Sequence, residues 1–401
     1  MKTFRAVLFW LHLAAGLIAG LAIGVMCFTG AALAFEQELI AWAERDAREV
    51  GVPPGGTRRS LRELQQALRA EHPDFRPGGI TLENRPTAAV AFSAGRDVAY
   101  YANPYTGEFR QPATSRMRAV MQTMTEWHRY LARTGETRPV GRLVNGIANL
   151  AFCALAISGL YLWLPRTWSA RGVRAIAVVN LRAAGKARDF NWHNAIGLWS
   201  APILIVLTLT AVPISFRWGG DLIFRLTGEP VPANAGPAAN PTPAVEIAKP
   251  SPDARPVDPD TIVSAVQREF PRWSQLTLRS GGSRGPRETS APGEGSSAAP
   301  QPLTVTLREA GTWPRTATTT LTVNPFTGEI LHRSGYADLS AARQMRSWTR
   351  FLHTGQALGG IGQLVAGLAC LGGCLLVYTG FALSWRRFFG KSNPVDPAPK
   401  T

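Results

Sequence analysis

"FWLHLAAGLIAG", residues 9–20, lies inside a run from Ala6 to Phe35 that contains no Asp, Glu, Lys or Arg. The one ionisable side chain of the quoted stretch is His12. A helix needs about 20 apolar residues to cross the hydrocarbon core of a bilayer, so this stretch reads as a membrane span over 6–35. An amino-terminal signal peptide is the rival reading, with Lys2, Arg5 and the small residues "ALA" at 32–34, but the apolar run is about twice as long as a signal core of 7–15 residues. Three more uncharged windows follow, at 143–165, 190–216 and 351–385. They place further spans at 139–165, 190–216 and 357–385. Trp163, Trp192, Trp218, Trp348 and Trp385 fall at or near the span ends, where amphipathic rings favour the headgroup region.

The loops orient the spans. The 166–189 segment carries Arg166, Arg171, Arg174, Arg182, Lys186 and Arg188 against Asp189 alone, and the tail, 386–401, begins with Arg386 and Arg387. Positive charge stays on the cytoplasmic side. Both termini and this loop are therefore expected inside, with the two long segments, about 36–142 and 217–350, outside. The location expected is a bacterial inner membrane, with lipid as a partner and the outer segments in the periplasm. The net charge of +16 partly reflects the cytoplasmic anchors. No basic stripe with interleaved aromatics accompanies it, so nucleic acid is not an expected partner. The four cysteines, Cys27, Cys153, Cys370 and Cys374, all lie in spans, which offers no disulfide framework outside and no C-x-x-C-H haem attachment.

The chain reads as an internal duplication. "NPYTGEFR" at 103–110 returns as "NPFTGEIL" at 324–331, and the same offset of 221 carries "GRLVNGIANL" (141–150) onto "GQLVAGLACL" (362–371) and Gly159 onto Gly380. Each outer domain, 36–113 and 259–337, reads as a helix followed by strands: a helix over 57–71 with strands at 78–84, 87–94 and 97–103, then a second helix over 260–269. In Asn-Pro-x-Thr-Gly-Glu, Pro presets φ and Gly accepts positive φ, so the motif reads as turn chemistry. A Pro/Ala-rich tether (229–258) and a Gly/Ser/Pro-rich insertion (281–302) read as linkers. Two surface helices, 114–135 and 338–355, lead into the second and fourth spans.

On these motifs the chain resembles the PepSY-associated transmembrane family, with two PepSY-like outer domains flanked by spans. The resemblance implies an α+β membrane protein with a four-helix core. It also implies kinship with iron-regulated inner-membrane proteins and ferric-siderophore reductases that carry b-type haem.

Four of the six histidines stand out. His12 and His193 occupy matching places near the cytoplasmic ends of the first and third spans, each followed at i+4 by Gly (Gly16, Gly197) and then Leu. His128 and His353 approach from the outer side, displaced by four residues from strict equivalence. Each pair offers two imidazoles, as a six-coordinate haem iron requires beyond its four porphyrin nitrogens. The rival reading makes each a helix-contact hydrogen bonder worth about 0.6 kcal/mol. Two haems b are therefore expected, axially held by His12 with His193 and by His128 with His353. Arg129 and Arg350 lie beside the outer pair, placed for haem propionates or for lipid phosphate. His72 and His332 have no special context. No dinucleotide fingerprint is present, so a quinol or a cytoplasmic reductase is the expected electron donor. By resemblance the acceptor is a ferric siderophore, making the protein a reductase. The alternative class is a non-redox PepSY protein that binds peptides or restrains a protease.

Overall fold

The computed structural model of the chain describes residues 2–94, 97–112, 115–165, 168–232, 247, 254–280 and 301–390. Most of the tether, nearly all of the 281–302 insertion and the tail beyond 390 lie outside the described residues. The helices are α1 (Lys2–Leu33), α2 (Glu36–Ala43), α3 (Arg45–Arg48), α4 (Leu61–Glu71), α5 (Ser115–Tyr130), α6 (Arg138–Trp163), α7 (Ala170–Ala177), α8 (Gly185–Ser215), α9 (Arg217–Leu226), α10 (Pro259–Glu269), α11 (Ala341–His353) and α12 (Gly359–Phe389). The strands are β1 (Gly79–Glu83), β2 (Val90–Ala94), β3 (Asp97–Ala102), β4 (Phe109–Arg110), β5 (Trp273–Ser280), β6 (Leu303–Glu309), β7 (Thr319–Val323) and β8 (Ile330–Ser334). They form two compact units.

In the first unit, α1, α6, α8 and α12 are long and apolar enough to cross a membrane. This is a membrane protein. α1 and α8 each pack on both α6 and α12, so they occupy diagonal corners of the bundle. Small residues let the helices approach closely, as van der Waals packing in lipid requires. A Cβ at Gly372 would collide with Ser200, and one at Gly373 with Cys27. Polar ties fix the ends. Gln363 donates to the Ala34 carbonyl at 2.8 Å, and Arg5 donates to the Leu164 carbonyl at 2.9 Å and to that of Leu162. Asp189, whose side chain is fully buried, pairs with Arg188 at 2.8 Å and with Arg386 at 3.2 Å. That pairing explains why α8 starts at Gly185, inside the stretch expected to be loop: Asp189 is drawn into the bundle against α12. The rest of that stretch contains α7, whose first turn is capped by the Ser169 hydroxyl.

The second unit is one antiparallel sheet in the order β4-β3-β2-β1-β5-β6-β7-β8. Two four-stranded meanders meet edge to edge at β1 and β5, where Thr81 and Thr277 hydroxyls lie 2.9 Å apart. Alternation sends Phe92, Leu276, Leu278, Val305, Leu307 and Leu321 to the face that packs with Leu64 and Leu68 of α4 and Val266 of α10. The two helix starts are joined as well: Asp260 accepts from the Leu61 and Arg62 amides at 2.9 and 3.1 Å. α4 begins at Leu61 rather than at 57 because Ser60 and Glu63 form a reciprocal capping box, which ends the preceding extended chain.

The other face of β2 and β3 is covered by Ala47 and Val50. Here the Glu44 side chain is fully buried. It accepts from Arg118, at 2.8 Å to one oxygen, from Arg48 at 3.2 Å and from the Tyr101 hydroxyl at 2.9 Å. The repeated Asn-Pro-x-Thr-Gly-Glu segments are closed turns. Asn103 accepts from Tyr105 N and Thr106 from Glu108 N; Asn324 and Thr327 do the same for Phe326 and Glu329. Gly107 and Gly328 sit at φ 81° and 75°. The motif's polar atoms thus serve the turn itself.

The two surface helices end differently. α5 stops at Tyr130 because Leu131 and Ala132 adopt left-handed φ of 49° and 57°, a conformation that costs an L-residue roughly 1–2 kcal/mol. α11 runs to His353 and is followed by Gly355 at φ 73°. Both are shorter than the expected 114–135 and 338–355.

Candidate functional site

His12 leans from α1 onto α6. Its Nδ1 lies 2.9 Å from the Ser158 hydroxyl, and a Cβ on Gly159 would stand 3.4 Å from its Cε1. His193 leans from α8 onto α12 in the same way, with Nδ1 2.9 Å from the Thr379 hydroxyl and a Gly380 Cβ position 3.6 Å from Cε1. Ser158–Gly159 and Thr379–Gly380 are 221 residues apart, so one seat is built twice. The two imidazoles lie on diagonal helices of the bundle. A Cβ at Gly16 or Gly197 would make ordinary van der Waals contact, with Leu155 at 4.0 Å and Leu376 at 3.5 Å.

At the other end of the bundle, His128 places Nδ1 2.9 Å from the Thr29 hydroxyl, beside the Met26 carbonyl. A Cβ on Gly30 would sit 3.2 Å from its ring. His353 puts Nδ1 2.9 Å from the Leu207 carbonyl. Met26 and Leu207 are 181 residues apart, the same spacing as His12 and His193. The four-residue displacement of these histidines accompanies a difference between the helices: α11 ends two residues beyond position 351, which matches the end of α5 at the 221 offset. The two rings are 6.2 Å apart, centroid to centroid, and inclined at 49°. Two imidazoles sharing one metal ion, with metal–nitrogen bonds of about 2 Å, have ring centres roughly 6 Å apart. Thr29 is 17 residues beyond His12 on α1, so the two pairs are separated by about 25 Å of helix rise.

Every one of the four rings is hydrogen-bonded through Nδ1. A hydroxyl has one proton, and each hydroxyl here directs it to its own helix: Ser158 to the Leu155 carbonyl at 3.2 Å, Thr379 to Leu375 at 2.7 Å and Thr29 to Val25 at 2.6 Å. The Leu207 carbonyl can only accept, so His353 carries its proton on Nδ1 and a lone pair on Nε2, the state in which a metal-binding histidine is held and oriented. A hydroxyl that bonds back to its own helix is able to accept from His12, His193 and His128 in the same tautomer. Burial pushes the His128 pKa down to about 4, and the neighbouring His353 adds to the shift. Burial also lowers His353, against the opposing pull of the Leu207 carbonyl. Both are neutral at pH 7, as ligation requires.

Among the described residues, no three His, Cys, Asp or Glu side chains gather to hold a bare metal ion. Each pair supplies two donors, which suits an iron whose other four positions are filled by porphyrin. The pairs therefore fit haem by donor number and, for His128 with His353, by spacing. Arg129 and Arg350 are exposed, each lying over an aromatic neighbour, Tyr130 and Phe351. His72 stacks on Tyr100 at 4.2 Å, and His332 lies on β8 opposite Thr322. Sequence reasoning did not mark Ser158, Thr379, Thr29 or the Leu207 carbonyl. The hydroxyl-glycine pair recurring at the 221 offset was the available signal for the first two.

Four spanning helices and an antiparallel sheet with helices define an α+β membrane protein. The chain belongs to the PepSY-associated TM region family, whose model matches residues 9–387. A search of the curated proteins found no match.

Proposed function

We propose that the chain is a b-type di-haem electron-transfer protein of the bacterial inner membrane, reducing a ferric siderophore in the periplasm. His12 and His193 would hold one haem and His128 and His353 the other. The observation that carries this reading is the paired arrangement: four imidazoles, two at each end of the bundle, every one hydrogen-bonded through Nδ1 rather than Nε2. Haem bound there supplies a one-electron Fe(III)/Fe(II) couple at each end of the bundle. The chain's own part is to hold neutral imidazoles in fixed orientations and to keep water away from them. A quinol or a cytoplasmic reductase donates electrons at the end bearing the termini. At the far end the ferric ion of a siderophore takes up one electron and becomes Fe(II), which hard oxygen ligands hold more weakly. The resemblance to ferric-siderophore reductases supports this acceptor, and the polar atoms of the Asn-Pro-x-Thr-Gly-Glu segments close their own turns, which gives the peptide-binding alternative no support from those motifs.

The test is to mix dithionite-reduced protein anaerobically with a ferric hydroxamate siderophore and a ferrous-iron chelator. The proposal expects the reduced protein to reoxidise with stoichiometric capture of Fe(II). Reduced protein that ignores every ferric chelate offered would remove the acceptor.

The seats make a sharper prediction. Thr379→Val keeps the shape but removes the Nδ1 hydrogen-bond partner of His193, and Ser158→Ala does the same for His12. Loss of such a partner weakens metal binding by roughly 10–100-fold. Each variant is expected to lose haem from the inner site on dilution, measured as absorbance of the retained protein, while the outer site stays filled.

A further inference from the structure

Asn145 of α6 is 7 % exposed, and its amide is only half used. Nδ2 donates to the His128 carbonyl at 2.8 Å, whereas Oδ1 is buried without a partner among the described residues. A buried amide with one end idle is poorly explained as a generic tie between helices. The donor end has a specific task. α5 breaks off just after His128, the Ala132 amide turns back to the Glu126 carbonyl instead, and the His128 carbonyl is left beyond the reach of its own helix. Asn145 supplies the donor that the broken helix lacks. In the second half of the chain α11 runs to His353, and the residue 221 further on is Ala366. The amide occurs where the helix stops early and is absent where it does not.

Its placement is enforced from both sides. Gly141, one turn earlier on α6, presses against the Tyr130 carbonyl so closely that a Cβ would collide with it. Arg138 lies over the Tyr130 ring at 4.1 Å and pairs with Glu126 at 2.9 Å. We infer that Asn145 is a positioning residue of the outer site, holding the His128 backbone so that its imidazole meets His353 in one orientation. This rests on the haem reading above.

The test uses full-length protein carrying His193→Ala, which leaves the outer haem alone in the spectrum, with and without Asn145→Leu. Leu has the heavy-atom count and Cγ branching of Asn, without its polar atoms, and suits an apolar span. Asn145→Ser serves if Leu prevents folding. The low-spin electron paramagnetic resonance signal reports the orientation of axial imidazoles. Asn145→Leu is expected to shift or broaden that signal and to weaken haem retention roughly tenfold. In an otherwise wild-type background the inner haem should keep its signal and midpoint potential. An unshifted outer signal, or equal changes at both haems, would overturn the inference. A two-haem wild type with an unaltered variant overturns only the role of Asn145, whereas a wild type that binds no haem overturns it together with the haem reading.

Discussion

His193→Ala is expected to halve the haem content of the purified protein, from two per chain to one. The substitution removes one donor of the inner pair, and a five-coordinate haem on His12 alone would be held weakly. The outer pair, about 25 Å away along the helices, keeps its own hydrogen bonds to Thr29 and Leu207, so its spectrum should persist. His353→Ala should do the reverse, and the double variant should be colourless. Pyridine haemochrome against protein concentration gives the count. Loss of both haems from a single substitution would contradict the pairing of His12 with His193 and of His128 with His353.

The second large effect concerns stability. Glu44→Ala removes a carboxylate with no exposed surface that gathers Arg118, Arg48 and Tyr101. Breaking a buried pair by deleting one partner costs about 3–5 kcal/mol, because the remaining groups lose their counter-charge. Hydrogen exchange of the full chain in detergent should show lost protection across α2, α3, β2 and β3. The same network has an acid signature. Burial alone would raise the Glu44 pKa, but the hydrogen bonds from Arg118 and Tyr101 and the charges of Arg118 and Arg48 outweigh it, leaving the carboxyl below its ordinary value. A carboxyl depressed on folding contributes stability that is complete above its unfolded pKa, about 4.3, and disappears as pH falls through the lower folded value. Wild-type protection in these segments should therefore drop in that acid window. Glu44→Ala, already lacking the contribution, should show no corresponding drop.

What the sequence made legible divides along physical lines. Spans could be read because an uncharged run of this length has few other uses, and His12 and His193 stood out because an imidazole in such a run is conspicuous. Turn motifs were readable for a similar reason, since Gly107 and Gly328 occupy backbone conformations that few residues tolerate. The seats of the histidines were not. Ser158, Thr379 and Thr29 look like any hydroxyl bonding back to its own helix, and the Leu207 carbonyl belongs to the backbone, on which sequence is silent. Nor did anything local announce that β1 and β5 pair, because the register joins Gly79 to Arg279 across two hundred residues. The early end of α5 was hidden as well: neither Leu131 nor Ala132 advertises a left-handed conformation.

The measurement closest to the central claim is a dithionite-reduced minus oxidised visible spectrum of the detergent-purified protein from haem-replete cells, with haem counted per chain. The bands of two low-spin b haems are expected. A colourless protein would contradict that claim and return the four histidines to the packing of the bundle.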